Sequence, residues 1–328
     1  MERAVRALKT MQTSAPSALA VSERPGASQA ASWRVWLALG TVYLFWGSTY
    51  LGIRVVVESV PALSAGAARF LVAGAVMLVF ALLRGGLRPM PSGREVAAAV
   101  GAGVLLIGGG NGGVMLAEQG MASGPTALLI SVTPLFIALL AFAFLGQRPG
   151  ARVWAGLLLG LAGLAVLVGI AGSTPVTPRG AAITLGAAAF WAAGSVWSSR
   201  ARLPASPAAS SGLQMLGGAA VLALGALGRG EPWHLRLQEV GWRPAAALLY
   251  LVVFGSLVGF SAYAWLLRRA PLSLVATYAY VNPVVAVILG AALLGEPLTG
   301  RELIGGAVVL AGVALIAGQS RRGARTGR

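Results

Sequence analysis

The charged residues of this chain divide it into long, uncharged and strongly apolar segments, and this spacing limits its possible folds more than any other feature. A helix rises 1.5 Å per residue, so about 20 residues cross a hydrocarbon layer about 30 Å thick. Most of the segments have 18 residues or more, and the second contains one charged residue, Arg69. The segments are 35–53, 62–83, 96–117, 119–147, 153–178, 180–199, 203–228, 244–267, 270–295 and 303–320.

Backbone polar groups inside a lipid layer must be satisfied within the protein, which leaves helices and closed barrels as the spanning structures. Barrel strands would be about ten residues long and would alternate apolar with polar residues, a pattern that this chain lacks. The sequence therefore predicts an all-α membrane protein with ten transmembrane helices.

The composition excludes most other classes of protein. Only 10% of the residues are charged, against roughly 25% in soluble domains, and 57% are hydrophobic. The chain has no Cys and no Asp, and His234 is its single His, so the residues that most metal sites and many catalytic sites require are missing. We therefore expect no metal, no cofactor and no enzymatic activity.

The net charge of +16 comes almost entirely from Arg residues that lie between the apolar segments and in the tails. A basic balance can indicate nucleic-acid binding, but this placement indicates membrane topology, so we expect no nucleic-acid partner. With the N-terminus inside, eighteen basic residues face the cytoplasm and five face the opposite side. The positive-inside rule then predicts a multi-pass inner-membrane protein with both termini cytoplasmic.

A stretch in the middle of the chain recurs near its end. Residues 122–168 align with 271–317 without gaps at a constant offset of 149, and 13 of the 47 positions are identical. Composition alone would give about one identity in ten, so the alignment indicates a duplication. Upstream, the offset becomes 145 and pairs Arg69 with Gln214.

The duplication predicts two units of five helices, 34–172 and 179–318, between a disordered cytoplasmic tail, 1–33, and a basic cytoplasmic tail, 319–328. Because five is odd, the second unit enters the membrane in the opposite orientation. Inverted repeats of this kind are typical of transporters, whose substrate site lies near the midplane between the repeats and opens to each side in turn.

Three alternatives to a transporter remain open from the sequence. The same duplication also builds channels and static membrane scaffolds. An intramembrane enzyme is a remote alternative, because such enzymes need Asp, several His, or a His inside the bilayer, and His234 lies in a loop.

Several short motifs, in this order and in this doubled arrangement, resemble those of EamA-type transporters of the drug/metabolite transporter superfamily. They are Trp46-Gly47-Ser48-Thr49-Tyr50, Ala68-Arg69-Phe70, Asn111-Gly112-Gly113, Tyr280-Val281-Asn282-Pro283-Val284 and Leu294-Gly295-Glu296. Within the superfamily, the chain is most similar to the drug/metabolite exporters of the YedA type. The resemblance implies an inner-membrane carrier with a central cavity that exports small metabolites, such as amino acids or drug-like amphipathic compounds. Gln147 and Arg54 depart from the residues common in the family.

Arg69 is the first candidate for the substrate site. It is expected about 12 Å inside the membrane, where a charge costs several kcal/mol unless it is paired or faces water. It should therefore face the cavity and contact a substrate carboxylate or Glu58; the alternative is that it extends to the surface and only anchors the helix. Arg54 and Glu58 are four residues apart and can pair, and with Glu118 they are candidates for gating or coupling. Glu118 is equally compatible with an exposed helix end.

The remaining candidates lie in segments that the sequence predicts to be bent or polar within the membrane. Five Gly in the six residues 108–113 weaken a helix around Asn111. Pro134 and Pro283 are expected to kink their helices and to leave the carbonyls of Ile130 and Ala279 unpaired. The full set of candidate substrate-binding residues is Arg69, Trp46, Asn111, Thr133, Trp191, Gln214, Tyr280 and Asn282.

The expected partners are membrane lipid and a small-molecule substrate. Gly156 and Gly160, with Gly305, Gly306 and Gly312, predict close-packed helix faces. The sequence leaves open whether these faces join the two repeats or form a homodimer.

Overall fold

A computed structural model describes the chain over five ranges, residues 33–121, 123–168, 176–231, 240–294 and 299–326. In these ranges, the secondary structure is helical and contains no strand. The helices of the first repeat are α1 (Trp33–Val57), α2 (Ala62–Leu83), α3 (Gly93–Gly103, Val104–Asn111 and Gly112–Glu118), α4 (Ser123–Ile130 and Thr133–Leu145) and α5 (Ala151–Val168). Those of the second repeat are α6 (Pro178–Arg200), α7 (Pro207–Gly228), α8 (Trp242–Tyr250, Leu251–Phe260 and Ser261–Leu267), α9 (Leu272–Val275 and Tyr278–Leu294) and α10 (Gly300–Thr326).

The two repeats match element by element. α2 and α7 are separated by 145 residues at both ends, which is the offset expected from the sequence. The last segments of α3 and α8 are separated by 149 residues at both ends. In each of these two helices a π-helical segment precedes the last segment, Val104–Asn111 in α3 and Leu251–Phe260 in α8. The repeat therefore extends to local helix geometry.

Contacts at the two ends of α7 establish the inversion. Beyond its C-terminal end, Arg229 Nη2 donates a hydrogen bond to Gln119 Oε1, at the end of α3. Before its N-terminal end, the Pro204 carbonyl accepts a hydrogen bond from Arg268 Nη1, at the end of α8. Because α7 is 22 residues long, the equivalent ends of α3 and α8 lie about 33 Å apart on opposite faces of the bundle. We call the face with Pro204 and Arg268 the terminal face, and the other the opposite face.

Nine helices in the described part of the chain, α2 to α10, are long and apolar enough to cross a membrane. α1 is helical over 25 residues but is not among the nine, so the expected count of ten spans is not confirmed. Many large apolar side chains on the outer surface are exposed, including those of Leu83 and Phe144. Such a surface suits a lipid environment.

The glycine faces expected from the sequence join the repeats. A Cβ on Gly156 would lie 2.7 Å from the Gly312 carbonyl oxygen, and one on Gly305 would lie 2.5 Å from the Leu167 nitrogen. α5 of the first repeat and α10 of the second therefore pack backbone to backbone. A homodimer stays a prediction.

Two terminal assignments fall partly outside the described residues. The predicted disordered tail, 1–33, lies outside them except for Trp33, where α1 begins. At the other end, α10 continues to Thr326, so most of the basic segment 319–328 is helical.

Candidate functional site

A cavity lies in the middle of the bundle, between helices of both repeats. It has about 90 Å³ of space for water-sized molecules, room for a few waters. Helices α1, α2, α3, α4, α6, α8 and α9 contribute to its wall. Six of the eight candidates named from the sequence line it: Trp46, Arg69, Asn111, Thr133, Trp191 and Asn282.

Arg69 is the charged residue of this wall. Its side chain is 5% exposed, Nε donates a hydrogen bond to Ser256 Oγ at 2.8 Å, and the guanidinium carbon lies 4.7 Å from the centre of the Phe70 ring. Gly255 makes room for the guanidinium, since a Cβ there would lie 2.6 Å from Nη2. Arg69 therefore faces the cavity, and the alternative that it anchors the helix at the surface is wrong.

The acidic candidates lie away from Arg69. Glu58 is exposed in the turn after α1, so the expected contact between Arg69 and Glu58 is not formed. Glu118 is half-buried at the end of α3, on the opposite face, and does not line the cavity. The side chain of Arg54 lies outside the described part, so its pairing with Glu58 stays a prediction. No carboxylate among the described residues lies within ion-pair distance of Arg69.

Aromatic side chains from both repeats line the cavity. Trp46 and Trp191, which are equivalent in the two repeats, meet edge to face at 5.5 Å, and Trp46 meets Tyr278 in the same way at 5.0 Å. Both indole nitrogens are occupied, because Trp46 Nε1 donates to the Gly255 carbonyl and Trp191 Nε1 donates to the Tyr263 hydroxyl. With these N–H groups satisfied, the rings offer their faces and edges to the cavity.

Two amides add polar groups to the wall. Asn111 is half-buried at the end of the π-helical segment of α3. Asn282, in α9, is 3% exposed, and its Oδ1 is buried with no hydrogen-bond partner in the described structure. A buried acceptor without a donor costs about 1–3 kcal/mol, so a ligand donor at this atom would be favoured.

Two candidates point away from the cavity. The hydroxyl of Tyr280 donates to the Leu157 carbonyl of α5 at 3.0 Å, and the ring packs on Gly160, so Tyr280 joins the repeats and does not line the cavity. Gln214 is fully buried in α7, where its Nε2 donates to Ser210 Oγ at 3.2 Å. Neither residue reaches the space where a substrate would lie.

Tyr278, which is not among the eight candidate substrate-binding residues, also lines the cavity. A sequence signal for it existed, because Tyr278 and Asn282 are four residues apart and share a helix face. Tyr280 is two residues from each and lies on the other side of α9.

Pro134 and Pro283 lie within α4 and α9. The expectation that they leave two carbonyls unpaired is wrong, because both carbonyls accept a hydrogen bond. α4 breaks at residues 131–132, Pro134 lies in the first turn of the second segment, and the Thr133 hydroxyl donates to the Ile130 carbonyl at 2.5 Å. Pro283 lies inside the second segment of α9, and the Ala279 carbonyl accepts a hydrogen bond from Ser131 Oγ at 3.3 Å. Nearby hydroxyls supply the donors that the prolines remove.

The glycine-rich stretch of α3 does not unwind; it takes the wider π-helical form. π-Helices are rare and occur often at functional sites. A Cβ on Gly110 would lie 2.7 Å from the Trp191 ring, and one on Gly259, in the equivalent segment of α8, would lie 2.6 Å from Trp46 Nε1. Glycine at these two positions therefore lets the wall tryptophans lie against the helix backbones.

The two halves of the chain each match one family model. A model described as the EamA-like transporter family matches residues 32–169 and again 178–318, close to the repeats expected from the sequence.

Relatives of the chain align over most of its length. The chain is 38% identical over 280 residues to the uncharacterized inner membrane transporter YedA of Escherichia coli (strain K12), covering 85% of this chain and 89% of the relative. It is 27% identical to a chloroplastic WAT1-related protein of Arabidopsis thaliana, covering 86% of this chain and 69% of that one. A solved crystal structure superposes with a TM-score of 0.73 at 25% identity, over 88% of this chain and 98% of the other.

Proposed function

We propose that this inner-membrane transporter, which belongs to the EamA-like transporter family, exports small metabolites that carry a carboxylate, with amino acids as the first class to test. The observation that carries the proposal is Arg69, a buried cation in the wall of the central cavity with no carboxylate of the described chain to pair with. A substrate carboxylate would supply that partner.

The chemistry of Arg69 favours a carboxylate. Its guanidinium is planar and can donate two parallel hydrogen bonds to one carboxylate, which fixes the orientation of the ligand as well as adding energy. Ser256 holds Nε and Gly255 leaves space at Nη2, so the cation is held in one position before a substrate arrives.

The rest of the wall suits the other parts of an amino acid. Asn282 Oδ1 accepts an N–H donor, such as an ammonium group, and the rings of Trp46, Trp191 and Tyr278 provide apolar surface and attract cations. A drug-like amphipathic compound with an acidic group would meet the same contacts. The substrate would thus contact both repeats at once.

The small volume of the cavity supports alternating access as the mechanism. About 90 Å³ is a narrow space for an amino acid, so loading requires the repeats to move apart on one side. Inverted repeats around a shared site provide this motion, because either repeat can tilt against the other.

The test is transport by the purified full chain in proteoliposomes. Liposomes preloaded with one unlabelled amino acid are placed in medium that contains the same labelled compound. We expect saturable counterflow, accelerated by internal substrate, and export of the same compounds from cells that overproduce the protein. Flux that rises linearly with concentration and shows no counterflow would indicate a channel, and no flux of any carboxylate would overturn the proposed substrate class.

A further inference from the structure

A second cavity of about 250 Å³ lies on the terminal face, at the junction of the start of α7 and the end of α8. Its wall includes Arg268, Arg269 and Trp265 from the end of α8, and Ser210 and Ser211 from the first turns of α7. It is separate from the central cavity, because the two share no lining residue. We call it the α7–α8 pocket.

The α7–α8 pocket is positively charged. Two adjacent arginines line it and, among its described lining residues, there is no acidic side chain. The guanidinium of Arg269 lies 5.9 Å from the centre of the Trp265 ring, and Arg268 Nη1 donates to the Pro204 carbonyl. α7 is 22 residues long and points its N-terminus at the pocket, which adds a partial positive charge.

The equivalent place in the first repeat, at the start of α2, is occupied by a carboxylate of the chain itself. Glu231 Oε2 accepts hydrogen bonds from Ser64 N at 2.8 Å and from Ser64 Oγ at 3.1 Å, while Glu231 Oε1 lies 3.6 Å from Arg229 Nε. Arg229 also binds Gln119, whose equivalent in the second repeat is Arg268. At the start of α2 a carboxylate of the chain therefore offsets the positive charge, whereas at the start of α7 the described residues supply two arginines and no carboxylate.

The surroundings of the α7–α8 pocket suit a lipid. Trp265 is half-buried near the end of a spanning helix, where Trp side chains commonly lie at the depth of the lipid headgroups. The end of α2 lies beside the start of α7, since a Cβ on Gly86 would lie 2.6 Å from Ser206 Oγ. Leu82 and Leu83 at that end of α2 are exposed, which provides apolar surface for acyl chains next to the pocket.

We propose that the α7–α8 pocket binds the phosphate of an anionic phospholipid headgroup, with phosphatidylglycerol as the probe. Basic pockets between transmembrane helices on the cytoplasmic side are suited to such headgroups. The phosphate contacts Arg268 and Arg269, the serines of α7 complete the hydrogen bonds, and the acyl chains lie along α2. Binding stabilises the junction of α7 with α8.

The experiment measures the unfolding temperature of the purified full chain in detergent, with added phosphatidylglycerol or phosphatidylcholine of identical acyl chains. We expect phosphatidylglycerol to raise the unfolding temperature and phosphatidylcholine to leave it unchanged. The double variant R268Q/R269Q should bind phosphatidylglycerol roughly 25-fold more weakly, since each arginine near a membrane surface contributes about five-fold. Native mass spectrometry should show the loss of one retained phosphatidylglycerol.

Two further variants distinguish lipid binding in the pocket from a general effect of the basic charge on this face. R148Q/R152Q removes the same charge from exposed positions in the α4–α5 connection and at the start of α5, and it should behave like the wild type. Ala205→Trp fills the pocket without changing charge, so it should also abolish the rise in unfolding temperature with phosphatidylglycerol. This variant provides the test if R268Q/R269Q does not fold.

Three outcomes would overturn the proposal. An unchanged response in both R268Q/R269Q and Ala205→Trp would mean that the pocket binds no lipid. An equal loss in R148Q/R152Q would indicate a diffuse charge effect. An equal shift with inorganic phosphate would assign the site to a soluble phosphate. None of these readouts depends on transport, so they leave the proposed function untouched.

Discussion

α2 and α7 are equivalent helices of the two repeats, yet their equivalent polar residues, Arg69 and Gln214, lie in different surroundings. Arg69 of α2 extends into the central cavity, where Ser256 and Gly255 hold it. Gln214 of α7 turns back to Ser210 in its own helix and does not line the central cavity. The duplication thus preserves the scaffold, while the site depends on side chains that differ between the copies.

The π-helical segments of α3 and α8 also combine an equivalent backbone with different side chains. Both occur at equivalent places, so the backbone is symmetric. Asn111 ends the first and Phe260 occupies the equivalent position in the second, and both line the cavity. Both repeats therefore supply aromatic surface and one amide each, whereas the cation comes from the first repeat alone.

The largest expected effect concerns the orientation of the two repeats, which must lie inverted in the membrane if they share one substrate site. The chain lacks Cys, so Arg152→Cys and Arg301→Cys each introduce a single label at equivalent, exposed positions. A membrane-impermeant thiol reagent should label one variant only from the cytoplasmic side and the other only from the outside. Labelling of both from the same side would contradict inversion and remove the basis for alternating access.

Replacing Arg69 by Gln makes the two repeats alike at this position. We expect transport of carboxylate substrates to fall roughly 100-fold, because loss of one member of a buried charge pair costs about 2–5 kcal/mol. Arg69→Lys should restore part of the activity, while Gln214→Leu, at the equivalent site outside the cavity, should stay within two-fold of the wild type. Counterflow rates at equal protein in the membrane provide the measurement, and wild-type rates in Arg69→Gln would show that the site works without this cation.

Asn282→Ala removes the amide that the second repeat contributes. We expect the apparent KM to rise roughly 10-fold with little change in maximal rate, since one buried hydrogen bond to a charged group contributes about 1.5 kcal/mol or more. Concentration-dependent counterflow gives both values. Tyr280→Phe is the matched control on the same helix, because its hydroxyl binds α5 and not the cavity. Unchanged KM in Asn282→Ala would remove α9 from the substrate site.

The smallest expected effect concerns the two prolines, whose freed carbonyls are satisfied differently in the two repeats. In α9 the Ala279 carbonyl depends on Ser131 of the first repeat. Ser131→Ala should lower the free energy of unfolding by about 1 kcal/mol. In a Pro283→Ala background the restored backbone N–H can bind the same carbonyl, so Ser131→Ala should then cost much less. Denaturant unfolding of the four proteins tests this, and equal costs in both backgrounds would contradict the assignment.

Candidate residues could be predicted where polarity inside an apolar segment was the signal. Arg69, Asn111 and Asn282 were found in this way, and all three line the cavity. Tyr280 and Gln214 were wrong for a related reason. The Tyr280 hydroxyl donates to a carbonyl of a neighbouring helix and Gln214 Nε2 donates within its own helix, so neither donor needs a cavity. The spacing of Tyr278 and Asn282 places them on one face of α9, and the packing of α9 on α5 shows that Tyr280 lies on the other.

The sequence by itself determined the helical membrane architecture and the pairing of the two repeats, because lipid permits few backbone structures and a duplication keeps its register. The tertiary structure decided which side chains meet at the centre, how the proline carbonyls are satisfied and where the terminal face carries its charged pocket. These features depend on contacts of a few ångströms between helices from different repeats, and such contacts follow from the rotation and packing of whole helices rather than from local sequence.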